Sequence, residues 1–214
     1  MKRLAIIAAA FLAVGWAAQP ANADLILDLN TGGSATACGG CGGPGQTYGW
    51  SFRVTNAISI DGIGFWDAGS NGLGTPSVAV GLWTSSGTLL RSATVTDLST
   101  VVASASADGR WLFEDVLSLI LDPGDYLIGG VFLPTVPLAQ TNAPFVTDPD
   151  ITLLQGRQSV AFSGFAAPTS AFNFPIFGPT LRTADAIPEP ATLGLFGVAL
   201  FGLGALRRRR KDQA

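Results

Sequence analysis

Tyr48-Gly49-Trp50-Ser51-Phe52-Arg53-Val54 places Tyr48, Trp50, Phe52 and Val54 on one face of an extended segment, and this reading decides the fold. Side chains two apart share a face in a strand, so a run of large apolar residues at that period predicts a strand with one side buried. Ile58, Ile60 and Gly62 repeat the alternation, and Ile63-Gly64-Phe65-Trp66 continues it into a second long strand. The two read as a strand pair joined near Asn56-Ala57.

Working outward, the same pattern recurs between turn signals. Asp24–Leu29 alternates as a first short strand, and Thr31–Gly45 is a glycine-rich loop. Val78–Trp83 and Leu89–Val95 read as a hairpin closed by Ser85-Ser86-Gly87-Thr88, after the turn-rich stretch Asp67–Pro76. Arg110–Val116 follows Asp108-Gly109, and Leu117–Leu121 continues it or pairs beside it. Asp122-Pro123-Gly124-Asp125 has proline and glycine where tight turns prefer them, and Tyr126–Phe132 returns as a buried strand. Beyond Pro134 the shorter candidates are Phe145–Thr147, Ile151–Leu154, Val160–Phe162 and Phe172–Phe174. No stretch between them has a helical period with caps, and no internal repeat is visible. Many short strands with Gly and Pro punctuation predict an all-β chain folded as an antiparallel β-sandwich or jelly roll.

The two ends read differently. Lys2 and Arg3 precede the apolar run Leu4–Ala18, and Ala21-Asn22-Ala23 supplies a small-x-small site. Residues 1–23 are therefore expected to be a signal peptide, recognised by the Sec export machinery and cut by signal peptidase after Ala23. At the other end stand Pro188-Glu189-Pro190, the uncharged run Thr192–Leu206, and the basic stop Arg207-Arg208-Arg209-Arg210-Lys211. The prolines set an extended backbone, and the five cations are those expected to remain on the cytoplasmic side of a membrane. Fifteen residues span about 22 Å as a helix, short of a hydrocarbon core of about 30 Å. Gly194, Gly197, Gly202 and Gly204 weaken that short transmembrane helix further. It is expected to display the motif transiently and not to anchor the chain for life. The expected organisation is a signal peptide over 1–23, a β-sandwich over 24–182, a linker over 183–187 and a sorting signal over 188–211.

The formal charge of the chain is −3, with twelve Lys and Arg, but seven of those cations lie in the two terminal segments. Asp24–Pro190 holds Arg53, Arg91, Arg110, Arg157 and Arg182 against fourteen acids, a net of −9. Five scattered arginines do not make a phosphate-binding surface, so nucleic acid is excluded as a partner. Cys38 and Cys41 are the only cysteines. In an exported protein the leading reading is a local disulfide closing a very short loop. A redox-active pair, and free or intermolecular thiols, stand beside it. A structural zinc site fails for want of four ligands, since the chain has no His and no other Cys.

The C-terminal layout resembles the PEP-CTERM sorting signal of exported proteins in Gram-negative bacteria, through Pro188-Glu189-Pro190, Thr192–Leu206 and Arg207–Lys211. The resemblance implies recognition by an exosortase, a membrane cysteine protease-transpeptidase that cuts near the motif. It also implies delivery to the cell surface or to an extracellular matrix of exopolysaccharide, as in a biofilm. Residues 46–133 are similar to a β-sandwich domain of unknown function in exported bacterial proteins. Gly49-Trp50-Ser51-Phe52, Gly64-Phe65-Trp66-Asp67, Gly81-Leu82-Trp83-Thr84, Gly87-Thr88-Leu89-Leu90 and Gly124-Asp125-Tyr126 carry that similarity. It implies a fold and no activity.

The inventory of side chains excludes much chemistry. Without His there is no Ser-His-Asp or Cys-His apparatus, and Asp24–Pro190 has no Lys for a Schiff base. Carboxylates alone would allow a glycoside hydrolase, but Glu114 is the one Glu outside the sorting motif, and Asp115 beside it points to the opposite strand face. The expectation is a protein that is not an enzyme. Trp66 and Trp83 are the candidate sugar contacts of a carbohydrate-binding module, with core packing as the competing reading. Asp67-Ala68-Gly69-Ser70-Asn71-Gly72 spaces oxygen ligands like a calcium loop, yet Val78 stands where the closing Glu belongs. Asp67 and Asn71 are thus a weak calcium site, and calcium is the one cofactor left open.

Overall fold

The computed structural model describes residues 25–37, 45–133, 137–140, 143–160 and 163–184. The strands are β1 Leu27–Leu29, β2 Ala35–Ala37, β3 Gln46–Val54, β4 Ile58–Ala68, β5 Val78–Thr84, β6 Leu89–Val95, β7 Thr100–Val102 and β8 Gly109–Leu121. They continue as β9 Gly124–Phe132, β10 Pro137–Gln140, β11 Phe145–Thr147, β12 Ile151–Gln158, β13 Ser170–Phe172, β14 Ile176–Phe177 and β15 Pro179–Thr183. Among the described residues there is no helix, and every strand ladder is antiparallel. The all-β, antiparallel sandwich expected from the alternation is the fold.

Two sheets carry the core. One has the order β13-β12-β3-β9-β5-β6 and the other β15-β4-β8-β7, with smaller sheets β14-β10-β2 and β1-β11 against them. Trp50, Phe52, Ile128, Val80 and Leu82 from the first meet Ile63, Phe65, Leu112 and Leu181 from the second in one buried cluster. Each such side chain contributes about 1.5–3 kcal/mol when fully removed from water. The Trp50 indole keeps its polar atom satisfied by donating from Nε1 to the Pro179 carbonyl at 3.0 Å, which ties β3 to β15 across the core. Phe65 and Phe132 meet at 5.3 Å between ring centroids. A Cβ at Gly130 would lie 2.7 Å from the Phe65 ring, so the glycine on the facing strand makes room for the aromatic.

Two connections differ from the expected pairing. β3 and β4 are not a hairpin: they lie in different sheets, and Thr55–Ala57 carries the chain across the sandwich. The same is true of β8 and β9, so the turn at Asp122-Pro123 also changes sheets. Both strands of each pair turn an apolar face to the same core, and burial drives them to opposite sides of it. The β5–β6 hairpin forms as the sequence reads, with Gly87 at φ +90° and Thr84 N–H donating to the Thr88 carbonyl at 2.9 Å. β8 runs unbroken for 13 residues, through Leu121.

Distant chain covers part of the outer face of each large sheet. On the four-stranded sheet, Asp28 of β1 and the segment Ser104–Asp108 lie over Trp66 and Trp111. On the six-stranded sheet, Gly49, Gly129 and Gly81 stand in register on adjacent strands and form a shallow trough. Residues 163–169 strap across it: Thr47 Oγ1 donates to the Gly164 carbonyl at 2.8 Å and accepts from Ala166 N–H at 3.1 Å. A Cβ at Gly129 would meet Pro168 at 3.1 Å, and Phe165 packs on Trp83 at 5.3 Å.

Candidate functional site

These coverings decide the fate of the tryptophans. Trp66 and Trp83 are each 3% exposed, so neither offers a free ring face to a sugar. Phe65 and Leu82, their neighbours in sequence, are buried as well. Alternation turns Phe65 and Leu82 into the core, and distant chain closes over Trp66 and Trp83. The edge of Trp66 helps line a small, partly open recess of about 30 Å³, with Asn30, Ser34, Ser106 and Asp108.

Asp67 is 1% exposed, and its carboxylate is already spoken for. One oxygen accepts from Arg110 Nε at 2.8 Å and the other from Gly72 N–H at 2.9 Å. The loop is thus closed around an arginine, and a dication there would face the guanidinium charge. The Asp67 side chain closes the loop by accepting from a backbone N–H five residues on. Asn71 lies in the same turn, next to Ser70, which takes a left-handed φ of 55°. Among the described residues no group of three His, Cys, Asp or Glu side chains could hold a metal ion.

The remaining carboxylates engage separate partners. Ser99 Oγ donates a short hydrogen bond to Glu114, while Asp115 pairs with Arg182 at 2.7 Å. Arg53 Nε donates to Asp125 at 2.7 Å and its NH2 to the other oxygen at 3.0 Å. Hydrogen bonding from Arg53 holds the Asp125 carboxyl below its ordinary range, against a smaller opposing effect of burial. Cys38, Cys41, Ala21, Ala23, Pro188, Glu189, Pro190 and Arg207–Lys211 lie outside the described residues.

What the structure does describe is the junction from which the C-terminal segment departs. β15 pairs with β4 from Pro179↔Phe65 to Thr183↔Ile60, and Ala184 N–H still donates to the Ser59 carbonyl at 2.8 Å. The sequence reading began the linker at Thr183; the strand runs one residue further. Arg182 clamps this end. Its side chain is 14% exposed, with Nε on Asp61 at 2.7 Å and NH2 on Asp115 at 2.7 Å. Gly62 leaves the space it needs, since a Cβ there would sit 3.0 Å from Arg182 Cζ. The guanidinium lies 5.8 Å from the Phe113 ring centroid, within cation–π reach. Burial pulls its pKa down, but hydrogen bonds and charge from Asp61 and Asp115 outweigh that and leave it raised. The N-terminal end is stitched alongside: Leu25 bridges Arg182, and Ile26 N–H donates to the Leu181 carbonyl at 3.0 Å. Sequence reasoning missed Arg182 because its partners, Asp61 and Asp115, come from two other strands.

Immediately beyond this junction, residues 186–210 match the family described as the PEP-CTERM protein-sorting motif. No curated protein and no solved structure matches the chain. The motif marks an exported protein that is processed by an exosortase and held transiently in the membrane by its C-terminal segment.

Proposed function

We propose that the sandwich is the cargo of that sorting signal: a structural or adhesive protein of the cell surface or of an exopolysaccharide matrix, with no catalysis of its own. The observation that carries the reading is the PEP-CTERM motif at residues 186–210, placed directly after the last strand of the fold. The geometry of the domain supports it. Asp67, Asp61, Asp115 and Asp125 each pair with an arginine, and the candidate sugar-binding tryptophans are covered. A body whose aromatic side chains are packed away suits bulk and durability better than small-molecule binding.

Mass spectrometry of both termini, in surface and secreted fractions from cells with and without the exosortase, tests the proposal. Loss of Arg207–Lys211 only where the exosortase is present is the expected result. An intact basic tail on surface-localised protein would overturn it. Binding to the host polysaccharide should survive Trp66→Phe and Trp83→Phe if the polymer contact is adhesive and not a tryptophan platform.

A further inference from the structure

We propose that the pole of the sandwich around the C-terminal exit is itself a contact surface for the processing enzyme, and that its partner face is cationic. This rests on the exosortase reading. Ala184 is pinned to Ser59, and Pro188 follows four residues later. A fully extended chain covers at most about 3.3–3.6 Å per residue, so Pro188 lies within about 14 Å of Ala184. A protease that binds an extended segment around Pro188 therefore cannot avoid the body of the domain.

The fold defines what it meets there. Thr55–Ala57 connects β3 to β4, Ile58 pairs with Leu121 at the end of β8, and Asp148–Asp150 hydrogen-bonds back to Thr55 and Ile26. These segments surround Ala184. Ile120, which pairs with Ser59, is 65% exposed beside the exit. Asp122, Asp148 and Asp150 supply three negative charges, and none of the described residues in Thr55–Ile58, Ile120–Gly124 or Asp148–Asp150 is a cation. Arg53 and Arg182 are already paired with Asp125 and with Asp61 and Asp115, and Arg91 donates to the backbone carbonyls of Leu90, Leu117 and Ser118. An anionic bilayer surface would repel such a pole, whereas a basic protein surface would attract and orient it. An exposed apolar side chain ringed by charge is the composition of a small protein–protein contact.

The Leu25–Arg182 bridge adds a second consequence. Leu25, two residues after the expected cleavage site at Ala23, sits against the strand that leads into the sorting motif. Both processing events then happen at this one pole, which faces the membrane while either hydrophobic segment is attached.

The test uses the full chain in cells that contain the exosortase, with C-terminal shortening followed by pulse-chase. Ala57→Lys combined with Asp122→Lys changes exposed side chains and should slow shortening at least fivefold. The same pair placed in a chain with an eight-residue Gly-Ser insert after Ala184 should have less than a twofold effect, because the insert frees the motif from the domain. Protease resistance of the domain verifies that the variants fold. A photo-crosslinking residue at position 120 should capture the exosortase, and one at Asn71 should not. Shortening that ignores the two substitutions, or capture equal at both positions, would overturn this inference alone. Absence of exosortase-dependent shortening in every chain would overturn the sorting reading and this one with it.

Discussion

The carboxylate of Asp28 accepts the indole N–H of Trp111 at 2.7 Å, joining the first strand of the fold to the start of its longest one. The same side chain accepts from Leu29 N–H at 2.8 Å, Ser104 Oγ at 2.5 Å and Ala105 N–H at 2.8 Å. Asp28→Ala removes all four and strands the Trp111 N–H in a buried position. A lost partner of that kind costs about 1–3 kcal/mol, so the urea midpoint should fall by a corresponding amount. Tryptophan fluorescence should shift red as the cover over Trp66 and Trp111 loosens.

Asp67 and Arg110 form the most deeply placed ion pair among those described, with the Asp67 side chain fully buried. Removing one partner of a buried pair costs about 3–5 kcal/mol, and exposure of Arg110 moves this case to the lower end. Asp67→Ala should destabilise by about 2–3 kcal/mol in chemical unfolding. Millimolar calcium should leave the Tm of the wild-type domain unmoved; a rise that vanishes in Asp67→Asn would reinstate the calcium site.

Two glycines separate close approach from backbone freedom. A Cβ at Gly64 would stand 2.6 Å from Phe113 Cζ, whereas at Gly124 the nearest atom is 3.8 Å away. Overpacking of this sort costs about 1–3 kcal/mol, and open surface positions stay within about 0.5 kcal/mol. Gly64→Ala should lower the Tm by several degrees and Gly124→Ala should not, as differential scanning calorimetry will show.

Acid titration should expose the Arg53–Asp125 pair. The folded-state pKa of Asp125 is lowered by its hydrogen bond to Arg53, so the stabilising contribution is present above the unfolded pKa of Asp. It is lost as pH falls through the folded value. In carboxyl-detected NMR, Arg53→Gln should move the Asp125 midpoint upward; an unchanged midpoint would show that the bidentate contact does not form in solution.

The strands were legible because their signal is local. Trp50, Phe52 and Val54 repeat at a period of two, and nothing distant is needed to read it. Sheet assignment was not legible, because Asn56-Ala57 looks the same whether it closes a hairpin or crosses between layers. The side on which the tryptophans are buried was hidden for a related reason. Alternation makes Trp66 and Trp83 face away from the core, and only Asp28 and Phe165, far along the chain, show that their side is also buried. Asp67 has a calcium-like local spacing, but its charge partner lies 43 residues on. The sorting segment was readable in full since motif, apolar run and basic stop are contiguous.

The direction of β15 has a mechanical meaning. Its last residue, Thr183, still pairs with Ile60, and Ala184 N–H still donates to Ser59, so a load on the C-terminal side enters the fold here. Tension applied through that end and resisted at the far end of the sandwich runs parallel to the strand. Ladder hydrogen bonds lie across the strand axis, so such a load shears the β15–β4 bonds together instead of opening them singly. Arg182 of the same strand, braced by Asp61 of β4 and Asp115 of β8, adds two ion pairs to the set that must yield at once.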